Sequence, residues 1–135
     1  MACEKILVIE DGKSQAVRIA GEIEKAGYGV ALVDNTLDGF KVLSEVHPQL
    51  VILVNDLPVA ETDISLAFLR QASRVPIIVI GAHEDAAVML ENGADAYLDK
   101  PPSLIELLAR VRSILRRQGN SLLGERQKYR SETAC

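Results

Sequence analysis

The sequence predicts a three-layer α/β domain, a parallel sheet with helices on both faces, and three observations carry that prediction. Apolar runs rich in β-branched residues alternate five times with segments of helical periodicity, the pattern of right-handed βαβ crossovers. The run Leu50-Val51-Ile52-Leu53-Val54 is aliphatic throughout, entered through Pro48 and left through Asn55-Asp56-Leu57-Pro58, as a central parallel strand buried on both faces must be. The chain of 135 residues is also long enough to bury a core without disulfide or metal staples.

The elements follow in order. Lys5-Ile6-Leu7-Val8-Ile9 reads as the first strand, ending in Glu10-Asp11-Gly12. From Gly12 to Ala26, apolar residues Ala16, Val17, Ile19, Ala20, Ile23 and Ala26 recur at helical spacing, and Gly27 supplies the stop. Tyr28 to Val33 is the second strand. Asp34-Asn35-Thr36 offers N-caps for a helix carrying Phe40, Val42, Leu43 and Val46, which must end by His47 because Pro48 follows. After the third strand, Thr62 or Asp63 is the expected cap of a helix bearing Ile64, Leu66, Ala67, Phe68 and Leu69. Val75 to Ile80 is the fourth strand, with Pro76 near its start, where a missing N–H is tolerated. Glu84 to Asn92 is a short helix stopped by Gly93, and Ala96-Tyr97-Leu98 a short fifth strand. Ser103 caps a last helix with Leu104, Leu107, Leu108, Val111, Ile114 and Leu115 along one face. Gln118-Gly119-Asn120-Ser121 reads as a break, which sets a domain at 1–118 and a linker or tail at 119–135.

Composition narrows the function classes. Hydrophobic residues make up 48% and charged residues 25%, an ordinary globular balance, and no apolar run approaches the roughly 18 residues of a membrane span. Without a signal-peptide pattern, the expectation is a cytoplasmic protein with no membrane contact. Cys3 and Cys135 stand at opposite ends with no metal-ligand spacing and are read as incidental. The net charge of −4 hides an asymmetry: residues 1–109 carry 8 Lys+Arg against 17 Asp+Glu, and residues 110–135 carry 7 against 2. An acidic body argues against nucleic acid bound by this domain, and the basic segment reads first as a solvated helix face.

Chemistry concentrates at the predicted C-terminal ends of the strands, where open α/β sheets place their sites. Glu10-Asp11 is an acidic pair of the kind that holds Mg²⁺ through carboxylate oxygen, although taken alone it is better explained by loop solubility and capping of the following helix. Lys100, just past the fifth strand, could reach that pair, or be a solvated loop lysine. Gly12-Lys13-Ser14 lacks the glycine five positions earlier that a phosphate-binding loop needs, since Leu7 stands there. His47 and His83 have no metal or dyad spacing, and no serine or cysteine sits in a nucleophile elbow. No catalytic set for a small α/β enzyme or flavin protein is present.

With these residues in view, the chain from Lys5 to about Arg117 resembles the receiver domain of bacterial two-component response regulators. The landmarks are Ile6 to Asp11, Pro48 to Pro58, Pro76 to Ile80, and Gly93-Ala94-Asp95-Ala96-Tyr97-Leu98-Asp99-Lys100-Pro101. The resemblance implies a flavodoxin-like (βα)5 sandwich of strand order 2-1-3-4-5 and a cis bond between Lys100 and Pro101. It also implies an aspartate at the end of the third strand that accepts a phosphoryl group, an acidic pair holding Mg²⁺, a lysine pairing with the acyl phosphate, and a Ser or Thr coupled to an aromatic residue. Glu10, Asp11, Tyr97 and Lys100 match that pattern. Val54, four residues before Pro58, falls at the phosphoacceptor position, and Gly81 at the Ser/Thr position.

Valine offers neither a nucleophilic oxygen nor a third carboxylate, so the expectation is a pseudo-receiver, a signalling module rather than an enzyme, that works without Asp phosphorylation. Mg²⁺ at Glu10 and Asp11 should be weak at best, and no cofactor is required. The alternative is a conventional phosphorelay receiver that accepts phosphate at Asp56. The last helix is similar to that of OmpR/PhoB-type transcription regulators. This implies a possible homodimer through the fourth helix, fifth strand and fifth helix, with Asp95 and Arg110 as charged positions on it, and a sensor kinase or another regulator as protein partner.

Overall fold

The computed structural model describes residues 4–11, 16–55 and 59–121, with no account of the side chains of 11, 59–63, 83 and 119–121. Its strands are β1 (Lys5–Asp11), β2 (Gly29–Val33), β3 (Leu50–Asn55), β4 (Ile77–Gly81) and β5 (Ala96–Asp99). The helices are α1 (Ala16–Lys25), α2 (Thr36–Val46), α3 (Val59–Ala72), α4 (Ala86–Glu91) and α5 (Leu104–Ser121). The strands pair in parallel in the order β2-β1-β3-β4-β5, as the resemblance implied.

Strand alternation divides the core into two layers. On one face Ile6, Val8, Leu50, Ile52, Val54, Ile78, Ile80 and Leu98 pack with Ile19 and Ile23 of α1 and Leu107 and Val111 of α5. On the other, Leu7, Ile9, Val51, Leu53, Ile77 and Val79 meet Leu43 of α2, Leu66 and Leu69 of α3 and Met89 of α4. All six residues of β3 are buried, the property that made this stretch legible as the centre of the sheet.

Local signals act largely as the sequence suggests. Asn35 caps α2, its side-chain oxygen accepting from Asp38 N–H at 2.8 Å. His47 ends that helix in the left-handed region at φ 54, ahead of Pro48. Gly39 faces β1: a Cβ there would lie 2.5 Å from Ile9 Cδ1, so glycine is what lets α2 approach the sheet. Ser103 Oγ accepts from Glu106 N–H at 3.3 Å at the start of α5.

Several boundaries differ. α3 begins at Val59, before Thr62 and Asp63, so neither is its N-cap; Val59-Ala60-Glu61 contains no breaker, and helix formation continues back to the proline that precedes it. The segment expected to be helical from Glu84 starts as a 3-10 turn, His83–Asp85, and becomes α-helical only at Ala86. β4 starts at Ile77, after Val75 and Pro76, and extends to Gly81. α5 runs through the expected break at Gln118–Ser121. One glycine near the end of an 18-residue helix costs about 1 kcal/mol, too little to stop it without a proline.

Candidate functional site at the C-terminal edge of the sheet

The ladders bring the predicted residues to one edge. Glu10 stands opposite Val54, Asp11 opposite Asn55, Val54 opposite Ile80, and Gly81 opposite Asp99. Adjacent parallel strands lie about 4.8 Å apart, so Glu10 and Val54 are lateral neighbours on the α1/α5 face. Glu10 is half-buried, and Val54 is 1% exposed within the cluster that includes Ile52, Ile80 and Leu98. The side chain of Asp11 and the whole of Asp56 and Pro58 lie outside the described residues.

Lys100 is brought to the same edge. Its N–H donates to Gly81 O at 2.9 Å, fixing the exit from β5, and its Nζ donates to Asn55 O at 3.3 Å. The bond from Lys100 to Pro101 is cis, in agreement with the resemblance. Lys100 thus spans β5 to the end of β3, placing a positive charge one residue beyond Val54.

On the opposite face of the edge sit Gly81, Tyr97 and Asn55. The Tyr97 hydroxyl donates to Ala82 O at 2.5 Å. A Cβ on Gly81 would lie 2.6 Å from Tyr97 Oη and 3.6 Å from Asn55 Nδ2. Burial pushes the Tyr97 phenol up to about 12, helped by the negative charges of Asp85, Asp99 and Glu84. Asn55 is 3% exposed, the one buried polar residue among those described. Sequence reasoning passed over it, although a polar residue closing an aliphatic strand at the site edge was the available signal.

Asp95 and Arg110, the charged positions expected on a face between two copies, stand just before β5 and on α5. Asp95 Oδ2 pairs with Arg70 Nη2 at 2.5 Å and accepts from Ile77 N–H at 2.8 Å. Arg70 also donates through Nε to Gly93 O at 2.9 Å and through Nη1 to Val75 O. The guanidinium therefore ties α3 to the turns before β4 and β5, while Arg110 is exposed on α5. Arg70 had no sequence signal, because its acceptors converge only in the fold.

The donor set can be weighed against a divalent cation. Mg²⁺ requires near-octahedral oxygen coordination, usually from one or two carboxylates plus water. Glu10 supplies a carboxylate and Val54 beside it supplies nothing. Among the described residues no group of three His, Cys, Asp or Glu converges to hold a metal, and no helix is long and apolar enough to cross a membrane.

A parallel 2-1-3-4-5 sheet whose edge gathers an acidic residue, a lysine whose bond to the following proline is cis and an aromatic on β5 defines a class of signalling domain. Residues 6–112 match the response regulator receiver domain model, and the chain belongs to that family. It is 38% identical over 117 residues to the transcriptional regulatory protein CusR of Escherichia coli, covering 84% of this chain and 52% of CusR. It is 37% identical over 127 residues to the probable transcriptional regulatory protein SilR of Salmonella typhimurium, covering 91% and 55%. The chain thus spans about half the length of these curated relatives. Among solved structures, the receiver domain of the TMAO respiratory system response regulator TorR superposes with TM-score 0.75 at 29% identity, over 84% of this chain and 98% of that one. A two-component response regulator from Clostridium difficile gives TM-score 0.76 at 26% identity, over 85% and 98%. Receiver domains of this family are signalling modules that interact with kinases and other proteins.

Proposed function

We propose that this receiver domain signals without aspartyl phosphorylation, with Val54 at the position where typical members carry the phosphoacceptor. The observation that carries the reading is the side chain itself: an aliphatic group, 1% exposed, packed at the end of β3 beside Glu10 and within one residue of the Lys100 contact. Transfer from acetyl phosphate would need a carboxylate oxygen to attack phosphorus as acetate leaves, and valine has no lone pair to offer. Mg²⁺ has one carboxylate fewer to bind and is held weakly.

The output is then a protein contact. The OmpR/PhoB-like relatives support a role in transcriptional regulation, in the cytoplasm, with a sensor kinase or another regulator as partner. A homodimer through α4, β5 and α5 belongs to this reading: α4 and α5 expose Val88, Leu90 and Ile105, and Arg110 stands exposed on α5. Asp95 would enter such an interface already held by Arg70, sharing its carboxylate instead of giving it wholly to Arg110 of a second copy.

Intact mass after incubation with acetyl phosphate and Mg²⁺, on the native chain and Asp56→Asn, tests the reading. No added phosphoryl group on either is expected. A phosphoryl group on the native chain that disappears in Asp56→Asn would overturn it and make Asp56 the acceptor of a conventional phosphorelay receiver.

A further inference from the structure

At the edge of the sheet opposite Lys100, the turns that enter β3 and β4 leave a groove of about 460 Å³, which Gln118 of α5 also lines. Its apolar wall is Leu43 with the buried Pro48 and Pro76, and Val75 stands half-buried beside them. Two of its polar side chains are already engaged within the protein. Gln49 Oε1 accepts from Lys5 N–H at 2.7 Å, and Ser73 Oγ accepts from Val75 N–H at 3.0 Å. Arg74 and His47 differ: both are exposed, and among the described residues neither side chain has a hydrogen bond or ion pair. The groove thus presents an apolar surface bordered by an unpaired guanidinium and an imidazole that can donate.

The continuation of α5 has the composition to fill it. The buried stripe of that helix runs through Leu107, Val111 and Leu115, and the same spacing reaches Gln118, at the groove, and then Leu122. At about 1.5 Å per helical residue, four residues past Gln118 is about 6 Å, so Leu122-Leu123-Gly124-Glu125 begins within reach. The two leucines suit the apolar wall, and Gly124 admits a turn. Glu125 is the first acidic residue after Glu106, and it suits Arg74. We propose that Leu122 and Leu123 dock in this groove with the Glu125 carboxylate at Arg74, tying α5 across the N-terminal edge of the sheet to the starts of β3 and β4. The site is independent of the chemistry at residue 54, which lies near the other end of β3.

Nuclear magnetic resonance on the full chain reads the contact directly. Cross-relaxation peaks are expected between the methyl groups of Leu122 or Leu123 and those of Leu43 and Val75. Leu122→Ser with Leu123→Ser, outside the two core layers and so compatible with folding, should abolish them and shift the amide signals of residues 47, 49 and 73–75. Arg74→Glu should weaken the peaks several-fold, and Arg74→Glu combined with Glu125→Arg should restore them, a rescue that a merely structural role of Arg74 would not produce. Absence of the peaks in the native chain, groove amides unmoved by the serine variant, or a charge swap that restores nothing would overturn the proposal. Mixing labelled with unlabelled chains separates the occupants: peaks arising only between chains would put the segment of a second copy in the groove and overturn docking within one chain.

Discussion

Replacing Val54 with aspartate tests the assignment of that position most directly, because the result depends on what surrounds it. The valine is buried among aliphatic residues, and removing it forfeits about 1.5–2 kcal/mol of apolar burial. The new carboxylate would stand beside Glu10, about 4.8 Å across the ladder, at a position only 1% exposed, so repulsion on the order of 1 kcal/mol adds to a desolvation cost of about 1–3 kcal/mol. Lys100, which reaches the neighbouring Asn55 carbonyl, offsets part of that. The net loss should be about 3–5 kcal/mol, a sizeable share of the roughly 5–15 kcal/mol by which such domains are stable. If the position is the family's acceptor site, Val54→Asp also completes a carboxylate set for Mg²⁺. With a dissociation constant of about 1 mM, 10 mM Mg²⁺ would return about 1.4 kcal/mol, or roughly 5 °C in Tm, while the native chain would gain almost nothing. Thermal unfolding with and without Mg²⁺ reads both quantities. Equal Mg²⁺ response in the two proteins, or none in the variant, would refute the assignment.

Two further outcomes follow from the same geometry. Arg70→Ala should cost about 2–3 kcal/mol in urea unfolding, since it leaves the Gly93 and Val75 carbonyls without a partially buried donor and removes an ion pair whose carboxylate, 44% exposed, is itself worth under about 1 kcal/mol; a loss below about 0.5 kcal/mol would show that water replaces the clamp. The Tyr97 phenol, raised to about 12 from an ordinary 10, binds its proton more tightly in the folded state. Its stabilising contribution is complete below pH 10 and lost as pH rises towards 12, so Tyr97→Phe should unfold with a shallower pH dependence across that window.

Much of this fold was legible because its signals are local or periodic. The Leu50–Val54 run, flanked by prolines, identifies the central strand by composition alone, while Asn35 and Ser103 punctuate helices through their side-chain oxygens and His47, ahead of Pro48, through its backbone. What misled was punctuation without force. Gly119 looks like a stop but adds only a modest cost to a helix anchored by Leu107, Val111, Ile114 and Leu115. Thr62 and Asp63 look like caps, yet the backbone had no reason to wait for them. The site divides in the same way. Its location at the ends of β1, β3 and β5 follows from topology, whereas the Arg70–Asp95 pair joins residues 25 apart in sequence across three turns, and no pattern in the chain announces it.

Residues 54 and 81, the two positions on which the proposed function turns, lie on opposite faces of one sheet edge, which only the register makes plain. Val54 belongs to the layer under α1 and α5, and Gly81 with Tyr97 to the layer under α4. The two clusters share strands and pack against different helices, so a substitution on one face acts first on its own layer. Val54 fills its side with methyl groups, and Tyr97 fills the other with its own hydroxyl, bonded to Ala82. Placing a carboxylate at 54 would give the edge an anion without giving it any side chain at 81 to sense one. On this geometry Val54→Asp alone should leave the Tyr97 contact with Gly81 intact, and only the pair Val54→Asp with Gly81→Thr joins the two faces again.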